Sequence, residues 1–282
     1  MRGQPIATGP GGSRSVSPRG RRAAGCDNGG VDSQRPQRTY RDEAVVLRTQ
    51  KLGEADRIVT LLTREHGQVR AVAKGIRRTN SKFGARLEPF NHVDIQLHHG
   101  RGSLETVTQV ETIATYGRDI ATDYEIFPPA SVMVETAERL TADDEESHQA
   151  QYLLLVGAVH AMANRRHDPM LVLNSYMLRA LAIAGWAPSC FDCASCGAPG
   201  PHTAFSIPNG GAICTDCRSA GYQPVTPGAM ALLGDLLSGD WAQADVSAPQ
   251  DRDDVGSLVS SYTQWHLERR LQSMRVLHTA RS

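Results

Sequence analysis

The sequence lacks long apolar runs and an export signal. No apolar stretch approaches the ~20 residues that span a bilayer, and the densest one, residues 152–163, has the pattern of a buried helix. The first residues carry arginines without the apolar segment of a secretion signal. The cysteines are mostly clustered rather than scattered, so these absences predict a reducing, cytoplasmic location without membrane contact, and a metal site in preference to disulfides.

Recognisable catalytic motifs are also missing. There is no P-loop, no nucleophile elbow and no H-E-x-x-H metalloprotease motif. Glu54 and Asp56 lie close together in "GEAD", a stretch more typical of a surface turn than of an acid/base pair. His98 and His99 lack the spacing of metal ligands. The sequence therefore predicts a protein that is not an enzyme.

Charge is balanced overall but unevenly distributed. The formal net charge is +0, yet residues 1–38 hold seven arginines and only two aspartates. This segment is rich in Gly, Pro and Ser and poor in large apolar residues, so we predict a disordered basic extension. An arm that contacts nucleic acid, a passive tail and a start codon placed too far upstream are the alternatives.

From residue 39 the pattern changes to short strands separated by turns. The predicted strands are EAVVLRT, RIVTLLT, QVRAVAKG, PFNHVDIQLHHG and SLETVTQVETI. Five short strands with glycine-bearing turns predict a small closed β-barrel in residues 39–115, of the OB type by strand count and size. The pattern alone leaves an SH3-like barrel open.

Residues 116–282 have helical periodicity, which makes the predicted fold class α+β. Helices are predicted for residues 128–140, 147–164, 168–185, 226–239 and 255–277. The second is apolar on most sides, so we expect it to be central in a bundle. Asp168 and Thr226 have the pattern of N-caps followed by proline, and Gly185 that of a C-terminal stop. In the last helix, one face should hold Leu258, Val259, Tyr262 and Trp265.

Two cysteine pairs interrupt the helical region. Cys193-x2-Cys196 and Cys214-x2-Cys217 are separated by 17 residues, a strong signal for tetrahedral Zn²⁺. Between them, "FSIPNGGAIC" predicts a short hairpin with Asn-Gly at its turn. Four thiolates close the coordination shell, so we expect one structural Zn²⁺ per chain in a zinc-ribbon module at residues 190–217. A thiol redox site is the alternative.

A fifth cysteine in this window, Cys190, makes the ligand set ambiguous. Pairing Cys190 with Cys193 would leave an allowed spacing to Cys214. Gly197 directly follows Cys196 and can adopt the positive φ that closes a knuckle, whereas Ala194 follows Cys193. This favours Cys193 and Cys196 as ligands. Cys190 is then a small, partly buried residue, with a replacement ligand or an oxidation-sensitive thiol as alternatives.

A basic stretch follows the third predicted strand. Residues 70–86 contain no acidic residue, and their cations are Arg70, Lys74, Arg77, Arg78, Lys82 and Arg86. OB barrels bind single strands through a basic groove with aromatic platforms, and Phe83 could stack on a base. We therefore predict a DNA-binding site formed by these cations and Phe83. The alternatives are a solvated basic loop and a Phe83 side chain that plugs the barrel.

Several segments together resemble the RecO family of bacterial recombination mediators. They include "LGEADRIVTLLT", "AKGIRR", "FGARLEPF", "GWAPSCFDCASCG" and "QWHLERRLQSMRVL", and the resemblance covers about residues 39–278. It implies an N-terminal OB barrel, a helical domain and a zinc module within the latter. Lys74, Arg77 and Arg78 match the family's basic segment, and Cys193, Cys196, Cys214 and Cys217 match its four-cysteine frame. Cys190 and residues 1–38 have no counterpart in this pattern.

The resemblance also implies a function and partners. It implies binding to single- and double-stranded DNA, annealing of complementary strands and, with RecR, loading of RecA onto DNA coated with single-strand-binding protein. The acidic-apolar tail of the single-strand-binding protein would suit a groove on the helical domain with a cation at its rim. Candidates for that cation are Arg139, Arg165, Arg166 and Arg179. A zinc-ribbon protein of transcription or translation that contacts RNA is the alternative function.

Overall fold

A computed structural model describes residues 39–78, 81, 83–100, 102–142, 146–218 and 220–267. The predicted extension at residues 1–38, the predicted cation Lys82 and the end of the last predicted helix lie outside the described residues. The described residues all belong to one compact unit.

Five strands close into a barrel at the start of this unit. They are β1 (Thr39–Leu52), β2 (Asp56–Thr63), β3 (Gln68–Ala73), β4 (His92–His98) and β5 (Glu105–Ala114), in the order β1-β2-β3-β5-β4. β4 pairs with β1 to complete the closure, and β3 and β5 are the parallel neighbours. A closed barrel of five short strands with non-sequential neighbours confirms the predicted OB-type architecture.

Strand β1 is covered on both faces, which explains its run of apolar residues. Ala44 and Val46 lie in the barrel core, whereas Val45 and Leu47 pack in the core of the helical domain. The register with β2 shifts between Val46 and Arg48, as a β-bulge does. Only a strand buried on both sides tolerates such a continuous apolar run, so β1 joins the barrel to the helices.

The helical part begins directly after the barrel. Its helices are α1 (Gly117–Ala121), α2 (Phe127–Leu140), α3 (His148–Ala163), α4 (Pro169–Ile183), α5 (Pro227–Ser238), α6 (Trp241–Ala244) and α7 (Pro249–His266). The Asp168 side chain accepts hydrogen bonds from the backbone N–H groups of Met170 and Leu171, and Thr226 caps α5. Gly185 has a φ of +87°. The predicted caps and stop are confirmed. None of the helices described here is long and apolar enough to cross a bilayer.

Two expectations about helix faces are wrong. The central helix is α4, which contacts α2, α3, α5 and α7, whereas α3 exposes 55% of Leu153. Trp265 is 58% exposed, although Leu258, Val259 and Tyr262 on the same helix are buried as predicted. Apolar character alone does not show which side of a helix its neighbours cover.

A small three-stranded sheet lies between α4 and α5. It contains β6 (Ala204–Ser206), β7 (Gly211–Ala212) and β8 (Gln223–Pro224), in the order β7-β6-β8. β6 and β7 form the predicted antiparallel hairpin, with Asn209 and Gly210 in its turn. This sheet and its flanking cysteine pairs form the module inserted in the helical part.

Candidate nucleic-acid interface and metal centre

Residues 74–91, here called the basic loop, connect β3 to β4 and are anchored by apolar side chains. Ile76, Phe83 and Leu87 are buried in the barrel core, the last within a 3-10 helix at Gly84–Leu87. The Asn91 side-chain amide donates to the carbonyls of Ala85 (2.9 Å) and Arg86 (3.2 Å). The described part of the loop is therefore held by packing in the barrel core and by hydrogen bonds to its backbone carbonyls.

The cations of the predicted site lie on the outside of this anchored loop or on β3. The exposed ones are Arg70, Lys74, Arg77, Arg78 and Arg86. Arg70 is on β3 opposite Thr60 of β2, and the other four follow β3. Because buried apolar residues alternate with exposed basic residues, the loop presents a basic surface and is anchored in the barrel core.

Phe83 does not belong to this surface. Its side chain is 1% exposed and packs in the barrel core, so the predicted stacking on a base is wrong. A phenyl ring gains more free energy from burial among aliphatic side chains than from remaining in water. The alternative expectation, that Phe83 plugs the barrel, is the one the structure supports.

Two nearby acidic residues, Asp56 and Glu88, are engaged within the protein. Glu88 forms an ion pair with Arg57 at 2.8 Å. The Asp56 carboxylate accepts a hydrogen bond of 2.7 Å from the backbone N–H of Gly75. Arg77 is itself partly engaged, because its guanidinium donates to the carbonyl oxygen of Glu54 at 2.9 Å. The described hydrogen bonds and ion pairs include none from the side chains of Lys74 and Arg78, two other cations of the loop.

The two cysteine pairs meet in space. The Sγ atoms of Cys193, Cys196, Cys214 and Cys217 all lie within 4.8 Å of one another. Those of Cys196 and Cys214 are 3.7 Å apart, close to the ~3.8 Å that a tetrahedron with Zn–S bonds of about 2.3 Å requires. Four thiols in this geometry fit a metal ion that prefers sulfur, and the residues present therefore suit the group that the sequence predicts.

Backbone groups shape the first cysteine knuckle. Gly197 has a φ of +73°, as predicted from its position after Cys196. The Cys214 backbone N–H donates to Cys193 Sγ at 3.4 Å. Such hydrogen bonds from Cys214 and Cys196 lower the pKa of the Cys193 thiol to about 6. The knuckle thus favours the thiolate that a metal requires.

The pKa values of the Cys196 and Cys217 thiols are raised in the absence of a metal. The neighbouring Cys196 thiol raises the pKa of Cys217 to about 12. Several thiolates at this distance repel one another, and a divalent cation removes that repulsion. The electrostatics of the cluster therefore favour an occupied over an empty site.

Cys190 lies apart from this cluster. It is 4% exposed and packs in the core of the helical domain, whereas Cys193 packs with Ala204 and Ile213 of the inserted module. Burial raises the pKa of its thiol to about 11. A protonated, buried thiol is a core residue, in agreement with the first interpretation of Cys190.

A groove of about 370 Å³ lies between α3 and α4. Apolar side chains, including Leu153, Leu154 and Trp241, line it together with Arg166 and Arg179. The Tyr176 hydroxyl is buried beside it without a hydrogen-bond partner among the described residues. Sequence reasoning missed Tyr176 and Trp241, because only the tertiary packing brings them to the groove.

The structure separates the four candidate rim cations. Arg166 and Arg179 line the groove. Arg139 pairs with Glu135 at 3.2 Å on its own helix, and Arg165 pairs with Asp123 and Glu125. Arg166 and Arg179 are therefore the cations best situated to meet an acidic ligand in this groove.

Comparisons with known proteins agree with this architecture. The family model described as Recombination protein O N terminal matches residues 37–116, and the one described as Recombination protein O C terminal matches residues 122–275. The DNA repair protein RecO of Thermobifida fusca is 53% identical over 241 residues, 86% of this chain and 99% of that protein. The protein of the same name from Streptomyces coelicolor is 54% identical over 242 residues, 84% of this chain and 97% of the relative.

These matches and the fold define the class of protein: it is a DNA repair protein built from an OB-type barrel and a helical domain. The chain belongs to the RecO family.

Proposed function

We propose that the chain binds single- and double-stranded DNA through the basic loop and Arg70 and anneals complementary strands without catalysing a chemical step. The observation that carries this proposal is the loop itself, because Ile76, Phe83 and Leu87 are buried in the barrel while the described cations of the loop are exposed. Exposed cations on a fixed base attract phosphates in a sequence-independent manner, as an annealing protein requires.

Annealing by such a surface needs no catalytic group. Cations that contact two strands screen the repulsion between their phosphates. Two strands held on one protein also meet at a raised effective concentration. Both effects accelerate pairing, and neither consumes a nucleotide.

We further propose that the chain acts with RecR to load RecA onto DNA coated with single-strand-binding protein, in a nucleoid-associated cytoplasmic setting. The groove between α3 and α4 supports binding of the acidic-apolar tail of the single-strand-binding protein. Its lining is apolar, and Arg166 and Arg179 offer charges for the acidic residues or the terminal carboxylate. An apolar pocket with a few placed charged groups is the usual form of such a peptide site.

The metal that we propose for the four-thiol cluster is one structural Zn²⁺. Sulfur ligands and close tetrahedral spacing favour Zn²⁺, and four protein ligands leave no open position for substrate. The ion would hold β6, β7 and the two knuckles together.

The proposal is tested by annealing of complementary oligonucleotides in the absence of nucleotide. We expect the rate to rise with protein concentration and to fall in a Lys74→Ala/Arg78→Ala double variant that retains the wild-type melting temperature. No acceleration by the wild-type protein at saturating concentration would contradict the proposal. Preference for structured RNA over single-stranded DNA in competition binding would instead favour the RNA-binding alternative.

A further inference from the structure

Residues 53–56, which comprise the turn between β1 and β2 and Asp56 at the start of β2, contact the first part of the basic loop. The Arg77 backbone N–H donates to the Ala55 carbonyl at 3.0 Å. The Arg77 guanidinium donates to the carbonyls of Gly53 (3.3 Å) and Glu54 (2.9 Å). Three consecutive carbonyls of the turn therefore accept hydrogen bonds from one residue of the loop.

A fourth hydrogen bond runs from the loop to a side chain of the turn. The Asp56 carboxylate accepts from the backbone N–H of Gly75 at 2.7 Å, a short charge-assisted bond. Gly53 and Gly75 both have positive φ, +58° and +68°, which places their backbones where residues with a Cβ are strained. The two segments thus form one hydrogen-bonded unit beside the end of β3.

The charged residues of this unit differ in their contacts. Arg77 directs its guanidinium to backbone carbonyls, whereas the described contacts include no ion pair or hydrogen bond for the Lys74 and Arg78 side chains. Asp56 is acidic yet lies beside a surface proposed to bind DNA, where an unengaged carboxylate would repel phosphate. Its hydrogen bond to Gly75 provides a reason for a carboxylate there.

We propose that Asp56 and Arg77 are positioning residues that hold Lys74 and Arg78 in the orientation for phosphate contact. This inference rests on the proposed DNA binding by the loop. Lys74 immediately precedes Gly75, and Arg78 immediately follows Arg77, so each proposed contact residue adjoins one anchored residue. A loop ordered before DNA arrives loses less conformational entropy on binding.

Alanine substitution of two neighbouring acidic residues, Glu54 and Asp56, tests the role of Asp56. Glu54 is exposed, and its carboxylate has no hydrogen bond or ion pair among the described contacts. Simple electrostatics predicts that removing either acid strengthens binding to a single-stranded oligonucleotide. We expect Glu54→Ala to bind as tightly as the wild type or more tightly, and Asp56→Ala to bind about threefold to tenfold more weakly, because the loop loses a charge-assisted hydrogen bond.

Conservative replacement sharpens this test. Asp56→Asn retains an oxygen that accepts from Gly75, so it should recover most of the affinity lost in Asp56→Ala. Amide hydrogen exchange at Gly75 should be faster in Asp56→Ala than in Glu54→Ala, in the absence of DNA. Equal affinity and equal exchange in Asp56→Ala and Glu54→Ala would overturn the inference while leaving the proposed DNA binding intact.

The salt dependence of binding tests the role of Arg77 separately. Removing a cation that contacts a phosphate lowers the slope of log K against log[salt] by about 0.7 for single strands. We expect this change in Arg78→Ala, whereas Arg77→Ala should weaken binding with little change in slope. An equal loss of slope in both variants would show that Arg77 contacts DNA directly. If the wild type did not bind the oligonucleotide at all, the proposed function would fail instead.

Discussion

The basic loop and the inserted cysteine module are two loop-rich segments stabilised by different means. The basic loop places Ile76, Phe83 and Leu87 in the core of the barrel. The cysteine module has a buried cluster of only Cys193, Ala204 and Ile213, and its four thiols gather beside it. The module also places Phe205 and Ala212 in the helical core, but the part that carries the cysteine pairs has so small a core of its own that we expect it to need a metal. The two regions should therefore respond in opposite ways to metal removal and to core substitution.

The largest difference should appear when the metal site is broken. Zinc binding contributes about 10 kcal/mol to the folding of small modules of this kind. We therefore expect the Cys196→Ser variant to bind no zinc, and its module to show no cooperative unfolding transition. Cys190→Ser should keep its zinc, since Cys190 packs in the helical core. Metal analysis of both purified variants checks this expectation.

Equal zinc loss in both variants would contradict a ligand set that contains Cys196 and excludes Cys190. The affinity for single-stranded DNA should change much less in Cys196→Ser than in the basic-loop variant Lys74→Ala/Arg78→Ala. A loss of DNA binding as large as the loss of zinc would break the contrast between the two regions.

The next largest effect should come from the core side of the basic loop. Phe83→Ala removes a fully buried ring, and such substitutions destabilise proteins by about 3–5 kcal/mol. Phe83→Leu keeps most of the apolar volume and should cost less than about 1.5 kcal/mol. Denaturant unfolding of the two variants provides the measurement.

Zinc content serves as the internal control for these variants, since both should retain the metal. If Phe83→Ala kept wild-type stability but lost affinity for DNA, the ring would be stacking on bases as the sequence first suggested.

The amino-acid pattern predicted the strands and the cysteine frame well, for identifiable reasons. Alternation in β4 and the C-x2-C spacing are local features that the fold preserves. Gly197 signalled the knuckle because its conformation is a property of one residue. Other features depend on what packs nearby, which a local sequence pattern does not show. They are the burial of Phe83, the exposure of Trp265 and the position of Arg166 and Arg179 in the groove.

A smaller effect is expected at the groove of the helical part. Arg179→Ala should weaken binding of an acidic-apolar peptide with a free carboxyl end about tenfold, the usual cost of losing one charged hydrogen bond. Arg139→Ala is the matched control, because Arg139 pairs with Glu135 away from the groove. Isothermal titration calorimetry with the peptide measures both. Equal weakening in the two variants would indicate a general charge effect and would contradict peptide binding in the groove.

The central claim is that cations of the basic loop contact phosphates while the cysteine module serves the fold. A salt series of single-stranded DNA binding tests it most directly. If about four cations contact phosphates, the wild-type slope of log K against log[salt] should be near −3, and Lys74→Ala/Arg78→Ala should reduce it by about 1.4. An unchanged slope in this double variant, with the fold and zinc content intact, would contradict the account.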